Sequence, residues 1–181
     1  MKPWEMLWNM ATGKGEQPAP AETPTQPEPT KPDYLDRLKM AESGGRADVK
    51  AATSSATGHH QFIESTWKTL SEKYKLNYSL EDRKDPTKSR EVAELYTNEN
   101  KKILGKMLGK EPTDTQLYAA HFLGTTGAKK FVSAKPFELA TKVVNKDQVA
   151  ANKSIFFDKE TKKPRTVAEV YKVLKNKIGE E

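Results

Sequence analysis

Proline confines the foldable part of this chain. Of its 11 prolines, seven lie in the first 33 of 181 residues, at positions 3, 18, 20, 24, 27, 29 and 32. Over residues 17–32 they alternate with Ala, Glu, Thr and Gln. Each proline fixes φ and removes a backbone donor, and the stretch offers almost nothing apolar to bury. It is expected to be an extended, semi-rigid linker reaching up to about 50 Å at roughly 3.1 Å per residue. The chain thus divides into a short peptide (1–16), a Pro-rich linker (17–32) and one domain of ordinary size (33–181).

The peptide holds two of the three tryptophans. Trp4, Leu7 and Trp8 share one face at i, i+3, i+4 spacing, with Met1, Met6 and Met10 nearby. Two outcomes are open for such a cluster: it folds back onto the domain, or it anchors the protein on a partner or a membrane surface. The segment lacks the long uncharged core and small-residue cleavage site of a secretory signal, so none is expected.

Charge divides at the linker as well. Residues 1–33 carry three basic and five acidic side chains, so the chain's net +6 leaves +8 on residues 34–181. A cationic domain suits an anionic surface such as nucleic acid, lipopolysaccharide or a wall polymer. No basic helix with base-reading side chains and no aromatic-basic RNA motif is present, which argues against a nucleic-acid partner. The chain has no cysteine, which excludes disulfides, thiolate zinc sites and a cysteine nucleophile. No stretch approaches the roughly 18 to 20 apolar residues of a transmembrane segment.

Helical signals run through the domain. Asp33 can cap a helix through Leu35, Leu38 and Ala41, closed by Gly44 and Gly45. A second helix begins near Ser65 with Trp67, Leu70 and Tyr74 on one face. Asp85-Pro86 opens the longest, which Gly109 stops. Thr113-Asp-Thr-Gln116 and Thr166-Val-Ala-Glu169 are capping boxes for two more, and Pro136 is expected to start a short one. Alternating segments are too few for a sheet. The fold class is therefore all-α, with at most a small hairpin around residues 152–165.

The chemistry concentrates in Ala41-Glu-Ser-Gly-Gly-Arg46 and the following stretch Thr53-Ser-Ser-Ala-Thr-Gly-His-His-Gln-Phe62. Glu42 closes an amphipathic helix just before two glycines. A carboxylic acid shielded among apolar residues keeps its proton closer to neutral pH, which is what a general acid for glycosidic cleavage needs. An ordinary exposed glutamate near a helix end is the other reading of the same spacing. The three histidines, His59, His60 and His121, lack the i, i+4 spacing of a helical ligand pair, so no metal is expected. Trp67 and Phe62 read as core residues before sugar platforms.

Taken together, E-S-G-G at 42–45, G-x-x-Q-F at 58–62 and S-T-W at 65–67 resemble the motifs of the lysozyme-like lytic transglycosylases of the SLT, goose-type family. Tyr118-Ala-Ala-His-Phe-Leu-Gly124 is similar to that family's A-A-Y-N-A-G motif. Within the family the likeness is closer to the catalytic domains of phiKZ-type phage endolysins, through residues 54–58, 66–69, 111–115, 120–122 and 154–156 and the last helix. It covers about residues 34–175.

The resemblance implies a lysozyme-like transglycosylase fold, peptidoglycan glycan strands as substrate, and no cofactor. It implies that Glu42 is the sole catalytic acid and base. This residue would protonate the oxygen between N-acetylmuramic acid and N-acetylglucosamine, then take a proton from the muramic 6-hydroxyl to close a 1,6-anhydro product. The substrate's acetamido group would assist in place of a second carboxylate. By the same carry-over Gln61 lines the cleft beside that acetamido group, and Ser54 and Ser55 face the sugar. His60 stands in place of a methionine floor, and His121 in place of a tyrosine near the glutamate. Tyr118 and Glu99 would border the cleft.

Three readings stay open. One is a phage lytic transglycosylase acting on the host's periplasmic wall, from the virion or from the host cytoplasm, with Trp4, Leu7 and Trp8 on a tail or other virion protein. A second is a hydrolytic muramidase drawing its base from Glu64, Glu72, Glu81, Asp82 or Asp85. The third is a virion structural or binding protein on a lysozyme-like scaffold.

Overall fold

The computed structural model describes residues 32–52 and 54–180, and within it Pro32–Glu180 pack as one body. The Trp-bearing peptide and nearly all of the linker lie outside the described residues. Eight α-helices follow one another among those described, with no strand. They are α1 (Tyr34–Ser43), α2 (Glu64–Lys73), α3 (Pro86–Leu108), α4 (Asp114–Ser133), α5 (Ala140–Val143), α6 (Lys146–Ala151), α7 (Lys153–Phe156) and α8 (Val167–Ile178). A 3₁₀ turn, Glu81–Lys84, precedes α3. The all-α expectation holds.

Side-chain caps set the long helices. Asp33 accepts from Asp36 N at 2.8 Å to open α1, and Asp85 accepts from Thr87 N and Lys88 N with Pro86 at the first position of α3. Thr113 and Thr166 each form the reciprocal box that satisfies two backbone donors at a helix start. Gly44 closes α1 in the left-handed conformation, directly after the turn that carries Glu42.

The central helix is α4, which packs against both α3 and α8; α1 in turn contacts α3 and α8. Ala119 and Ala120 are fully buried and let the neighbouring backbones approach α4, while Leu38, Leu104, Tyr118, Phe131, Phe156 and Leu174 fill the main core. A second cluster, Phe62, Trp67, Leu70, Val92 and Ala93, lies between α2, α3 and the 54–62 loop. Trp67 is wholly buried there, stacks on Tyr78 at 6.1 Å and donates its indole N–H to Ser79 O at 2.8 Å. Truncating such a residue to alanine costs about 3–5 kcal/mol.

Between α4 and α8 the fold departs from the sequence reading. Pro136 starts no helix: it lies in a turn, where Glu138 N donates to Lys135 O and Ala168 N to the Pro136 carbonyl. Three helices of four to six residues follow instead. The expected hairpin shrinks to one antiparallel bridge, Phe157 with Pro164, closed by Asp158 N donating to Lys163 O. Residues 153–156, at the start of the proposed hairpin, are helical. Helix α4 also runs past Leu123 to Ser133, with a non-helical joint at Gly124.

Candidate active site

A cleft of about 480 Å³ opens beside the C-terminal end of α1. Glu42 lines it together with Ser54, Gln61 and Phe62 from the loop, Tyr96 from α3 and His121 from α4. Asp147, Gln148 and Asn152, from α6 and the residue after it, line it as well. Helix α1 is tied down by ion pairs toward its other end: Arg90 Nη1 donates to Asp36 at 2.8 Å, and Arg37 pairs with Asp114 at the start of α4. These ties fix where Glu42 emerges.

The Glu42 carboxyl is half-buried, and its Oε1 has no hydrogen-bond partner in the protein. Tyr118, 1% exposed, is part of the core beneath it and not of the cleft surface. Burial raises the Tyr118 phenol far above its usual range, and the charge of Glu42 and a hydrogen bond to it act in the same direction. The phenol is therefore a neutral donor at any working pH.

Gln61 sits at φ 49°, a left-handed backbone that a side chain adopts only when its surroundings compel it. Its Nε2 donates to Val49 O at 2.9 Å and to Gly58 O at 2.8 Å. Both partners are carbonyls, so the amide's two hydrogens are spent and Oε1 remains as an acceptor. His121 is oriented by similar logic. Its Nε2 lies 2.8 Å from the His60 carbonyl, which can only accept, so Nε2 carries the hydrogen. Its Nδ1 is buried and unpartnered. The ring meets Phe62 edge-on at 5.2 Å and Tyr96 at 6.0 Å.

Four expected cleft residues lie elsewhere. His60 is 1% exposed and turned to the opposite side of the loop, with Nδ1 2.9 Å from Ser89 Oγ on α3. The left-handed residue that follows it is what separates the two faces of the loop. Ser55 faces away too: its Oγ accepts from Glu64 N at 3.0 Å and opens α2, whereas Ser54 does line the cleft. Glu99 borders a neighbouring recess, paired with Lys73 at 2.6 Å and Tyr74 at 3.2 Å. Tyr118 is the fourth, under Glu42. Phe62 is both core and wall, 3% exposed yet part of the cleft lining.

Sequence reasoning missed Arg83 and the α6 wall. Arg83, 8% exposed, donates from Nε to Leu80 O at 2.8 Å and from Nη1 to Ser55 O at 2.7 Å and Phe62 O at 3.2 Å. It staples the loop that presents Ser54, Gln61 and Phe62. An arginine in a short polar stretch gives no sign of this. Helix α6 was legible, since Asn145 and Gln148 form a capping box.

His60 makes the loop sensitive to acid. Burial, then the charges of His121 and His59, lower its imidazole from 6.5 to about 3. The unfolded chain therefore takes up a proton below pH 6.5 that the folded chain refuses until about pH 3. Stability is full above pH 6.5 and falls as pH drops through that window, by up to about 1.4 kcal/mol per pH unit. Urea unfolding at pH 7 and pH 5 is expected to differ by about 2 kcal/mol on this basis. His60→Asn should remove most of the difference, and an unchanged slope would assign it to another group.

The described arrangement offers one carboxyl with a free buried oxygen, an amide acceptor, an oriented imidazole and an apolar wall. In comparison with known families, the family described as Transglycosylase SLT domain matches residues 21–134, which span Glu42, Gln61 and His121 and stop at the end of α4.

Proposed function

The chain belongs to the transglycosylase SLT domain family, and on that premise we propose that it is a phage-borne lytic transglycosylase in which Glu42 carries the proton. Family membership supplies the general role, a lytic transglycosylase-type enzyme whose substrate is peptidoglycan. The observation that carries the finer reading is the buried, unpartnered Oε1 of Glu42 in the cleft lining. No protein group competes for its proton, so the proton is available to a bound sugar.

In this reading the Glu42 proton passes to the glycosidic oxygen as the bond to C1 of N-acetylmuramic acid breaks. The substrate's acetamido carbonyl supports C1, and the Gln61 Oε1 accepts the acetamido N–H and so turns that carbonyl inward. The carboxylate then removes the 6-hydroxyl proton as the 6-oxygen bonds to C1. The Glu42 proton is restored and no water is consumed. Tyr118 steadies the carboxyl from below, and His121 and Phe62 shape the wall of the subsite.

One observation favours hydrolysis at the same bond: Asp147 joins Glu42 in the lining. The carboxylates suggested by sequence do not. Glu64, Glu81 and Asp82 pair with Lys68, Lys84 and Lys88, and Asp85 caps α3. Mass spectrometry of digested sacculi separates the readings. An anhydro end one water lighter than a reducing end is expected, and reducing ends alone would make the protein a hydrolase.

The reading also gives Trp4, Leu7 and Trp8 a purpose as an anchor on a phage tail or other virion protein, with the linker letting the domain search the host's periplasmic wall. A free endolysin, made in the host cytoplasm, is the alternative. Trp4→Ala with Trp8→Ala should detach the enzyme from purified phage particles without slowing lysis of sacculi. Retention on the particles would discard the anchor.

A further inference from the structure

Two stretches of the domain carry lysine without any acid. Residues 102–110 hold Lys102, Lys106 and Lys110, and residues 125–137 hold Lys129, Lys130 and Lys135, with no Asp or Glu in either. The fold brings them together. Past its joint at Gly124, α4 runs alongside the C-terminal half of α3: Thr125 Oγ1 donates to Asn100 Oδ1 at 2.6 Å, and Ser133 Oγ to Met107 Sδ at 3.9 Å. All six lysines are exposed, and among the described residues none of them pairs with a carboxylate. The acids at the margins are Glu99 and Glu111, held by Lys73 and Lys101, and the half-buried Glu138. Apolar side chains stand in the midst of this charge. Four large ones are exposed among the described residues, and two of the four are Met107, at 37%, and Phe137, at 73%. Lys135 Nζ lies 5.9 Å from the centre of the Phe137 ring, so ring and ammonium reach the same level.

We infer that this face docks the domain on an anionic phospholipid surface, the lysines meeting headgroup phosphates while Phe137 and Met107 enter between them. Charge complementarity names the sign of the partner, since six free ammonium groups with no acid among them repel any cationic or mixed surface. The apolar pair names its kind. A soluble polyanion answers the lysines and leaves the Phe137 ring in water. A bilayer surface answers both, because the acyl boundary lies just beneath the phosphates and lysine stems can pass along it with their heads in the wet layer. A second copy of the domain would bring like charge to like charge. Docking here is independent of the proton chemistry of Glu42 and leaves the cleft open: Tyr96 of α3 lines the cleft, and Met107 stands about 16 Å further along the same helix.

The test mixes the full chain with vesicles of phosphatidylcholine alone and with vesicles of equal parts phosphatidylcholine and phosphatidylglycerol, and reads the bound fraction by sedimentation. Binding to the mixed vesicles is expected to be tighter by about a hundredfold or more. Each lysine near an anionic bilayer contributes roughly fivefold, so Lys106→Gln, Lys129→Gln and Lys130→Gln together should weaken it by about a hundredfold. Lys106→Arg, Lys129→Arg and Lys130→Arg together should keep it. Phe137→Ser should weaken it by about tenfold. The dependence on the three lysines should persist in a chain carrying Trp4→Ala and Trp8→Ala. Equal binding to both kinds of vesicle would overturn the proposal, as would binding that survives the glutamine variant or is lost in the arginine one. Binding untouched by Phe137→Ser would make the face a site for soluble polyanions and overturn the lipid assignment. Disappearance of the lysine dependence with the two tryptophans would move the contact to the N-terminal peptide and overturn it as well.

Discussion

Replacing Glu42 by glutamine is expected to slow the lysis of sacculi by roughly 10²–10⁴-fold, the usual contribution of a positioned general acid, while the melting temperature stays equal. The amide has the size of the acid but cannot give or take the proton. The carboxyl's one structural tie is the Tyr118 phenol, which can donate to the oxygen of the amide as well. Glu42 Oε1 has no protein partner, the helix end is held by Gly44, and α1 is tied down by Arg90 and Arg37. A buried polar atom without a partner contributes nothing to stability, so exchanging the acid for an amide of the same shape does not weaken the fold. Lysis by Glu42→Gln within a few-fold of wild type would remove Glu42 from the mechanism. A lowered melting temperature together with lost lysis would leave folding as the cause, which makes the thermal measurement part of the same experiment.

The helices that the sequence announces are those whose ends are written locally. Asp33, Asp85-Pro86, Thr113 and Thr166 each satisfy their own helix's orphan donors within three residues, so the signal and the structure are the same few atoms. The short helices α5, α6 and α7 are different. Four to six residues cannot offset the cost of nucleating a helix alone: α5 persists through contacts to α4, α7 through contacts to α8, and α6 through α7 and the Gln148 amide donating to Leu123 O. Only α6 had a box to announce it. Pro136 resembled a helix start but serves a turn whose carbonyl is taken by the first turn of α8.

The site was legible to the same degree. Glu42, Ser54, Gln61 and His121 meet in one cleft although 79 residues separate the first from the last. Side-chain direction was not legible. His60 and Gln61 are neighbours, yet the left-handed backbone at Gln61 sends one toward Ser89 and the other toward the cleft. Ser54 and Ser55 divide in the same way, one to the cleft and one to the start of α2. A motif shared with a family fixes which loop is present. Which residue of that loop faces substrate depends on the anchor behind it, and here the anchor is Arg83.

That anchor sets up the second large effect. Gly58→Ala is expected to lower stability by about 2–4 kcal/mol, or roughly 5–15 °C in melting temperature for a domain of this size, and to remove most activity with it. Gly58 has φ +84°, and a Cβ there would stand 1.9 Å from the Arg83 carbonyl oxygen and 2.8 Å from its carbon. Neither side can give way cheaply. The Arg83 side chain donates to Leu80, Ser55 and Phe62, while Gly58 N donates to Val49 O and its carbonyl accepts from the Gln61 amide. Shifting the loop would pull Phe62 out of the second core and turn Gln61 away from Glu42's cleft. Gly109→Ala is the control. It shares the left-handed backbone, φ +67°, but its Cβ would meet nothing within 4 Å, so it bears the conformational cost alone, about 1–2 kcal/mol. The difference between the two alanine variants isolates the close approach of the loop to Arg83. Gly58→Ala melting alongside Gly109→Ala, with lysis intact, would mean that the loop can be moved without moving the site.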